Sequence, residues 1–390
     1  MIATIALVVF WFSLAVTVYI YFGYPALLWI LSKVRPRPVA EADVAPLATF
    51  VIAAYNEEKN IAAKIENTLS LDYPPEALEV LIVSNGSTDR TDEIVRGYSD
   101  PRVKLIVMER PGKMDALNEG VRRATGEILV FTDADFLLDH HTLRLIGRKF
   151  ADPKVGGVCG ARKTDLARGG DSTGEGEGMY ARWDKWQKIR ESMIGSVFAA
   201  DGLLYAIRRS LYVPVTDPAQ SDDQAISMRI PLQGYRLLYE PKATAWENAT
   251  VVAEEEFGRK IRVTNHSVRS LLNLGSKLFT SGFYSVELLS HKLIRHCVAY
   301  FLIPLFAANL FLLRVHPIYV VALAGQLLIY GLAITGALLR RHPLGKKKFF
   351  TVPYYFCFVN AAAFFGILTI LRGRKLTAWT SRPTTHPTPR

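Results

Sequence analysis

Two carboxylates, Asp133 and Asp135, stand one residue apart at the end of an apolar run that begins at Gly126. At the carboxyl end of a buried strand, side chains two positions apart point to the same side of the backbone and can hold one divalent cation together. Carboxylate oxygens suit the hard cations Mg²⁺ and Mn²⁺, which usually carry the phosphate groups of a ligand. The pair predicts a nucleotide or nucleotide-sugar site, although the spacing alone is more typical of a polar turn after a strand.

The stretch around this pair alternates short apolar runs with helical patterns. The runs that read as buried strands are Ala48–Ala54, Glu79–Ser84, Val103–Met108 and Ile128–Thr132. The clearest helical patterns between them are Asn60–Ser70 and Met114–Arg123. Strands that alternate with helices indicate a doubly wound parallel sheet, which binds its ligands at the carboxyl ends of the strands.

Polar residues follow each predicted strand where such a sheet binds its ligand. They are Tyr55–Glu57, Asn85–Asp89, Gly112–Lys113 and the Asp133–Asp135 pair. A Gly-Lys turn such as Gly112–Lys113 is by itself more often a solvated loop. The agreement among the four positions makes one shared ligand site the better interpretation.

Five short motifs occur between about Phe50 and Arg262, in the order AAYNEE, SNGSTDRTDEI, PGKMDALNEG, FTDAD and SDDQAISMRI. Together they resemble the inverting family 2 glycosyltransferases of the GT-A fold, a superfamily that includes the synthases of hyaluronan, cellulose and poly-N-acetylglucosamine. The resemblance implies an α/β fold, with a GT-A type, Rossmann-like nucleotide-sugar domain and transmembrane helices at the N- and C-terminal ends. It also implies a UDP-sugar donor and Mg²⁺ or Mn²⁺ as the cofactor.

The resemblance assigns the nucleotide side of the site. Ala53, Tyr55 and Glu57 would border the uracil and the ribose, Asn85 would meet the uracil edge, and Lys113 would contact the donor. The family more often has Asp at the position of Asn85. An amide can accept a hydrogen bond from uracil N3–H and also donate one, so UDP recognition is compatible with this departure.

The resemblance also assigns an acidic pair, Asp222 and Asp223, in which Asp223 serves as the general base. Inversion needs a carboxylate that takes the proton of the attacking hydroxyl while the nucleotide diphosphate leaves. A cation at Asp133 and Asp135 would neutralise the charge on that diphosphate. The alternative is that the acidic pair stabilises the start of a helix at Ala225–Leu232, and both roles are possible if Asp222 caps the helix and Asp223 is the base.

The acceptor side is assigned to the segment Gly202–Arg208, with Gly202 and Leu203 as candidate contacts, because it resembles the family's segment ahead of the base. Trp183 lies three residues before a second tryptophan on a predicted helix, and its ring suits a sugar face. Packing is the more common use of tryptophans at that spacing. The acidic, glycine-rich run Gly169–Gly178 is predicted to be a mobile loop.

One window departs from the processive synthases, which carry Gln-x-x-Arg-Trp. Here Arg259–Val263 stands in its place, so Arg262 keeps the arginine and is assigned to the donor diphosphate. Val263 replaces the tryptophan, which puts long-chain processivity in doubt. The alternative for the basic cluster is attachment to anionic lipid, and Lys260 is assigned to the surface.

The composition indicates a membrane protein. Half of the residues are hydrophobic, 21% are charged and the mean hydropathy is +0.15. Met1–Leu31 contains no charged side chain and is followed by Lys33, Arg35 and Arg37, a basic flank that favours the cytoplasmic side. A cleaved signal peptide is the alternative, but the run is long and no basic region precedes it.

Further apolar segments lie near the C-terminal end, at Cys297–Leu313, Ile318–Leu339 and Phe349–Leu371. Pro353 leaves room for a kinked or re-entrant helix in the last one. His266–Phe283 reads as an interfacial amphipathic helix, and Trp379 with Arg382 resembles a terminal segment that folds back to the site. The predicted organisation is a membrane helix at 1–32, a catalytic domain at 45–263, interfacial helices at 264–296, membrane segments at 297–371 and a basic tail at 372–390.

These observations favour an integral membrane enzyme of the plasma or inner membrane, with its catalytic domain in the cytoplasm. It would transfer a sugar from a UDP-sugar with inversion to a growing glycan, or, alternatively, one sugar to a lipid or lipid-linked acceptor. A silent nucleotide-sugar sensor needs no general base and is disfavoured. The net charge of +11 lies largely beside apolar segments, which argues for membrane lipids rather than nucleic acid as partners.

Overall fold

The computed structural model describes residues 1–109, 112–164, 172–247 and 253–376. The chain divides into two compact units. The helical unit comprises Met1–Val34, Leu166–Gln187 and Thr250–Leu376, and the sheet unit comprises Arg35–Asp165, Lys188–Ala249 and Thr377–Arg390.

The elements alternate in the sheet unit and are helical elsewhere. The strands are β1 Ala48–Ala54, β2 Leu78–Asn85, β3 Val103–Met108, β4 Ile128–Phe131, β5 Leu137–Leu138, β6 Val155–Thr164, β7 Tyr205–Arg208 and β8 Arg236–Glu247. The α-helices are α1 Ile2–Val18, α2 Tyr24–Val34, α3 Ile61–Leu69, α4 Thr91–Arg96, α5 Lys113–Arg123, α6 Thr142–Lys149, α7 Ser172–Ile194, α8 Asp222–Ser227, α9 Arg229–Leu232, α10 Ala253–Leu272, α11 Lys277–Thr280, α12 Phe283–Glu287, α13 Ala299–Leu312, α14 Pro317–Leu338 and α15 Lys348–Leu371.

The strands form one sheet of mixed direction in the order β3-β2-β1-β4-β7-β6-β8-β5. β1 pairs in parallel with β2 and β4, and β2 pairs in parallel with β3. β7 then runs antiparallel to both β4 and β6. The predicted parallel pairing is therefore confirmed for β1 to β4. The other half of the sheet is mixed, because β7 and β5 are antiparallel to their neighbours whereas β6 and β8 pair in parallel. None of the strands β5 to β8 was predicted from the sequence.

Burial on both faces explains the parallel half of the sheet. β1, β2 and β4 are buried along their whole length, as expected for strands covered by helices on both sides. α5 approaches the sheet closely at Gly120, where a Cβ atom would lie 2.5 Å from Cγ1 of Val51 and 3.0 Å from Cγ2 of Val83. Only glycine fits this contact without displacing the neighbours. The packing fixes the start of α5, which carries Lys113.

Three helices are long and apolar enough to cross a membrane, within the part of the chain that the structure describes: Ile2–Val34, Pro317–Leu338 and Lys348–Leu371. A further pair, Phe283–Ile294 and Ala299–Leu312, is bent by 64° and would count as one broken or re-entrant span. α15 is continuous and contains Pro353, so the last apolar segment is not broken at this residue, and the kink expected there stays a prediction.

Two predicted segments differ in the helical unit. The amphipathic helix expected at His266–Phe283 is interrupted, because α10 ends at Leu272 and the chain turns at Gly275, whose φ of +57° favours glycine. The loop expected at Gly169–Gly178 is wrong from Ser172 onward, where α7 begins. A Cβ at Gly176 would lie 2.5 Å from the ring of Tyr355, so this glycine serves close helix packing. Residues 169–171, Trp379 and Arg382 lie outside the described residues.

Candidate active site

The carboxylate pair follows β4 in the arrangement expected from its spacing. Asp133 and Asp135 are partly exposed, whereas the intervening Ala134 and the flanking Thr132 and Phe136 are buried. The alternation turns both carboxylates away from the core. The sequence motif therefore forms a face of two carboxylates at the carboxyl end of β4.

Lys113 joins this face to the acidic pair. Its ammonium group donates a hydrogen bond of 2.8 Å to Oδ1 of Asp133 and lies 3.0 Å from Oδ2 of Asp222. Burial disfavours the charged form of Lys113, but Asp133 and Asp222 outweigh that effect and raise its pKa. The side chain is thus a fixed cation between two carboxylates that come from different loops.

Asp223 is a partly buried carboxylate at the start of α8. Its Oδ1 accepts hydrogen bonds from the Ser221 hydroxyl and from the backbone N–H of Gln224, the latter at 2.7 Å. Burial, followed by repulsion from Asp222, raises the pKa of Asp223 above its ordinary value. A raised pKa makes a carboxylate a better proton acceptor, which suits the expected general base.

The N-cap residue of α8, Ser221, forms no capping hydrogen bond with its side chain, but Asp222 and Asp223 both lie in the first turn of the helix. Their negative charge is favourable at that end of a helix, so the helix-start role stays a prediction. Asp222 also pairs with Lys113, whose ammonium group lies 3.0 Å from its Oδ2. Asp222 therefore lies on the donor side of the acidic pair.

Glu57 is a further carboxyl group close to Asp133 and Asp135. Burial raises its pKa to about 7, and a hydrogen bond of 2.6 Å from the Asn60 amide opposes the change, while Asp135, Asp133 and Asp89 raise it further. Mutual repulsion of this kind indicates a place where positive charge is favourable.

The residues present fit a divalent metal ion. No three His, Cys, Asp or Glu side chains in the described residues are grouped as a metal cage. Mg²⁺ and Mn²⁺ need no such cage, because one or two carboxylates and the oxygens of a bound diphosphate suffice. Asp133 and Asp135 would hold the ion, which would supply positive charge to the leaving diphosphate.

Lys64 was not identified from the sequence. Its side chain is fully buried, and its ammonium group donates to Oγ1 of Thr132 at 3.0 Å and to the carbonyl oxygen of Phe136 at 2.6 Å. These two acceptors bracket the carboxylate face. Burial lowers the pKa of Lys64 to about 7, and Asp135 and Asp133 oppose the decrease. The sequence feature that could have identified Lys64 is its position on the apolar face of the predicted helix at Asn60–Ser70.

The two loops that follow β1 and β2 hold each other in place. Asn56 has a left-handed φ of 55°, and its side-chain oxygen accepts from the backbone N–H of Thr88 at 2.8 Å. Its own backbone N–H donates to Oγ of Ser87 at 3.2 Å. Ala53 is nearly buried and Tyr55 is half-buried at the end of β1. The structure therefore brings the predicted nucleotide loops together.

Asn85 lies at the end of β2, and its expected contact with the uracil edge stays a prediction. Its Oδ1 already accepts a hydrogen bond of 2.6 Å from the backbone N–H of Gly112. Its Nδ2 is buried and has no hydrogen-bond partner among the described residues. The donor rather than the acceptor end of this amide is left for a ligand, and a carbonyl oxygen on a base would satisfy it.

The acceptor candidates separate between the two units. In the sheet unit, Leu203 is buried, and a Cβ atom at Gly202 would lie 3.4 Å from Oδ2 of Asp223. In the helical unit, Trp183 lies on α7, and its ring contacts Tyr21, Tyr180 and the guanidinium of Arg295. These contacts are what packing of Trp183 would give. A contact between Trp183 and an acceptor stays a prediction.

The basic window lies on α10 in the helical unit. Lys260 forms ion pairs of 2.7 Å with Glu177 and 3.3 Å with Glu256, and its side chain is only 17% exposed. Lys260 is therefore partly buried and paired with two acidic side chains, and its expected role at the membrane surface stays a prediction. Arg262 lies one turn from Arg259 on the same helix, and its role toward the diphosphate stays a prediction.

Comparisons with known proteins identify relatives of this chain by sequence and by fold. Residues 49–195 match the family described as Glycosyl transferase family 2. The poly-beta-1,6-N-acetyl-D-glucosamine synthase of Staphylococcus aureus (strain COL) is 30% identical over 224 residues, which are 55% of this chain and 53% of that protein. The synthase of the same name from Staphylococcus epidermidis is 30% identical over 208 residues, 51% of this chain and 49% of that protein. The chain spans about half the length of the curated relatives it matches.

A solved structure extends the likeness beyond the matched domain. The mannosyltransferase PcManGT from Pyrobaculum calidifontis, in complex with GDP-Man and Mn²⁺, superposes with a TM-score of 0.66 at 25% identity. The match covers 93% of this chain and 99% of that one. Together with the mixed sheet and the carboxylate face at its edge, these findings show that the chain carries a glycosyl transferase family 2 domain with a GT-A fold.

Proposed function

We propose that this protein is an integral membrane enzyme that transfers a sugar from a UDP-sugar, with inversion, to a growing glycan, as an exopolysaccharide synthase does. The observation that carries the proposal is the ion-paired position of Lys113 between Asp133 and Asp222. It joins a carboxylate face suited to a metal-bound diphosphate to the acidic pair that contains a base. A nucleotide sugar is a ligand that uses both.

The chemistry assigned to these residues is a single displacement. The acceptor hydroxyl attacks the anomeric carbon, its proton passes to the carboxylate of Asp223, and the bond to the diphosphate oxygen breaks with its electron pair on UDP. Lys113 contributes positive charge beside the diphosphate. Attack on the face opposite to the leaving group inverts the anomeric configuration.

The placement in the membrane is part of the proposal. Lys33 lies in the last turn of the N-terminal apolar helix, and Arg35 and Arg37 follow it. These basic residues favour a cytoplasmic position for the sheet unit. A catalytic domain at 45–263, flanked by membrane and interfacial helices, fits this orientation. UDP-sugars are made and held in the cytoplasm, so the donor would reach the site from that side.

A second candidate is the transfer of one sugar to a lipid or lipid-linked acceptor. Val263 supports it, because the tryptophan of the processive synthases is missing there and Val263 is 39% exposed. A GDP-sugar is the alternative donor, since PcManGT was solved with GDP-Man. The open amide donor of Asn85 would suit a carbonyl oxygen on either base.

The test is nucleotide release by the purified protein in detergent with Mn²⁺ or Mg²⁺. UDP-N-acetylglucosamine, UDP-glucose and GDP-mannose are supplied separately, and the products of any active donor are sized. A ladder or long polymer from a UDP-sugar is expected. A single added sugar would favour the second candidate, and GDP-mannose as the only active donor would contradict the proposed UDP specificity.

A further inference from the structure

A second carboxylate, Asp201, lies beside the candidate base. It directly precedes Gly202, where an added Cβ atom would lie 3.4 Å from Oδ2 of Asp223. The backbone N–H of Ala200 donates a hydrogen bond of 2.9 Å to Oγ of Ser227, on the same helix as Asp223. The segment 200–202 therefore lies next to the start of α8, close to the candidate base.

A buried lysine holds Asp201 in place. Nζ of Lys188 lies 2.6 Å from Oδ2 of Asp201, and the Lys188 side chain is only 3% exposed. The rings of Phe198 and Tyr239 lie 5.7 Å and 6.0 Å from that ammonium group. A buried cation of this kind is costly unless it is paired, so the ion pair is a built feature of the fold. The Asp201 side chain remains 38% exposed and accessible to a ligand.

The charges around the base disfavour an anionic acceptor. Asp201, Asp222 and Asp223 all lie on this side of the site. Lys188 pairs with Asp201, and Lys113 divides its charge between Asp222 and Asp133. The hydrogen bonds of Asp223 come from a hydroxyl and a backbone N–H, which are neutral groups. A phosphate group placed here would lie close to these carboxylates, and Asp223 has no cationic partner among the described residues.

The presence of a base points to the same class of acceptor. A phosphate oxygen is already ionised at neutral pH and needs no proton acceptor to attack. A sugar hydroxyl is neutral and needs one. Exposed carboxylates also suit hydroxyl groups, because a carboxylate accepts hydrogen bonds and a hydroxyl donates them.

We propose that the acceptor is a neutral, polyhydroxylated sugar, and that Asp201 binds a hydroxyl of this sugar next to the one that attacks. The inference rests on the proposed function and narrows it, since it favours a glycan or a lipid-linked sugar over a lipid phosphate. Asp201 forms a hydrogen bond only. The attacking hydroxyl gives its proton to Asp223, its oxygen bonds to the anomeric carbon, and UDP leaves with the electron pair.

The experiment compares acceptors and variants of the full chain in detergent with its active donor. Cellobiose and N,N′-diacetylchitobiose serve as neutral sugars, and farnesyl phosphate serves as the lipid phosphate. Asp201→Asn is compared with Asp100→Asn, a matched control because Asp100 also pairs with a cation, Arg102, at 2.7 Å. The KM for the sugar acceptor should rise about tenfold in Asp201→Asn, with a change below about twofold in the KM for the donor, as expected for a lost hydrogen bond to one substrate. Asp100→Asn should leave the acceptor KM unchanged.

Loss of folding is controlled separately. Asp201→Asn leaves the buried ammonium of Lys188 without this partner, so the double variant Lys188→Met with Asp201→Asn removes both charges and should show the same rise in acceptor KM. Equal acceptor KM values in the Asp201 and Asp100 variants would overturn the inference. Transfer to farnesyl phosphate in place of the sugars, or no transfer to either sugar, would overturn it as well. If UDP is released without any acceptor in those cases, the proposed donor chemistry still holds. If the protein neither releases nor binds UDP, both the inference and the proposed function are contradicted.

Discussion

The ammonium group of Lys113 lies 2.8 Å from Oδ1 of Asp133, although the two residues are 20 positions apart and follow different strands. The parallel half of the sheet brings them together, because β3 and β4 both end at the edge where ligands bind. The same ammonium reaches Asp222 at 3.0 Å. A single cation thus connects the donor side of the site with the acidic pair.

Replacing Lys113 with Met should lower kcat by about 10² to 10³, the usual cost of losing one fixed positive group at a leaving group. The variant should also bind Mn²⁺ more tightly in the absence of nucleotide, because the ammonium no longer competes for Asp133. Lys104→Met is the control, since Lys104 pairs with Glu79 at 2.7 Å on β2 and β3. Steady-state rates and Mn²⁺ titration check this prediction. An unchanged kcat in Lys113→Met would contradict it.

The activity should fall as the pH decreases through about 6. Burial and the neighbouring Asp222 raise the pKa of Asp223 to about 6, and the protonated carboxyl group cannot accept the acceptor's proton. Asp223 is therefore ionised above that pH. Below it, the ionised fraction of Asp223, and with it the activity, falls about tenfold per pH unit. A profile of kcat/KM against pH measures this limb, and donor binding over the same range shows whether the protein stays folded. A limb near pH 4, the ordinary range of Asp, would argue against the assignment.

Mn²⁺ should bind weakly to the protein alone and more tightly when UDP is present. Asp133 and Asp135 supply only part of a coordination shell, and diphosphate oxygens complete it. By linkage, Mn²⁺ should strengthen UDP binding by the same factor. Calorimetry with and without UDP measures both effects, and Asp135→Asn should weaken them. Tight Mn²⁺ binding without nucleotide would mean that further protein ligands exist.

Replacing Gly120 with Ala should destabilise the sheet unit by about 1 to 3 kcal/mol, the usual cost of overpacking. The added Cβ would lie 2.5 Å from Cγ1 of Val51, which cannot move without disturbing the core. Gly258→Ala on α10 is the matched control, because nothing lies within 4 Å of its Cβ position. Ala has the higher helix propensity, so the control should be neutral or stabilising. Thermal unfolding in detergent compares the two, and a similar melting temperature for both variants would refute the packing argument.

The sequence predicts the parallel half of the sheet well. β1 and β3 have the predicted bounds, and β2 and β4 differ by one residue at their ends, because these apolar runs are bounded by polar turns. β5 to β8 were missed. β5 and β7 are only two and four residues long, and the ten and twelve residues of β6 and β8 pair with strands far away in the sequence. The fold class and the motif positions could be predicted because they depend on the order of apolar runs, helical patterns and polar turns along the chain.

The polar contacts of the site could not be predicted in the same way. Lys64 and Lys260 are ordinary lysines in the sequence, and only their acidic or carbonyl partners in space explain their burial. The pairing of Asp222 with Lys113 likewise depends on two loops meeting. Asp201 gave no signal, because the lysine that holds it is 13 residues away on another element.

The most direct test of the mechanism is single-turnover transfer by Asp223→Asn, with binding of the UDP-sugar measured on the same sample. The donor should bind with nearly unchanged affinity, because Asp223 is proposed to contact the acceptor rather than the nucleotide. The transfer rate should fall by about 10² to 10⁴, the usual contribution of a general base. Transfer at close to the wild-type rate would show that Asp223 is not the base.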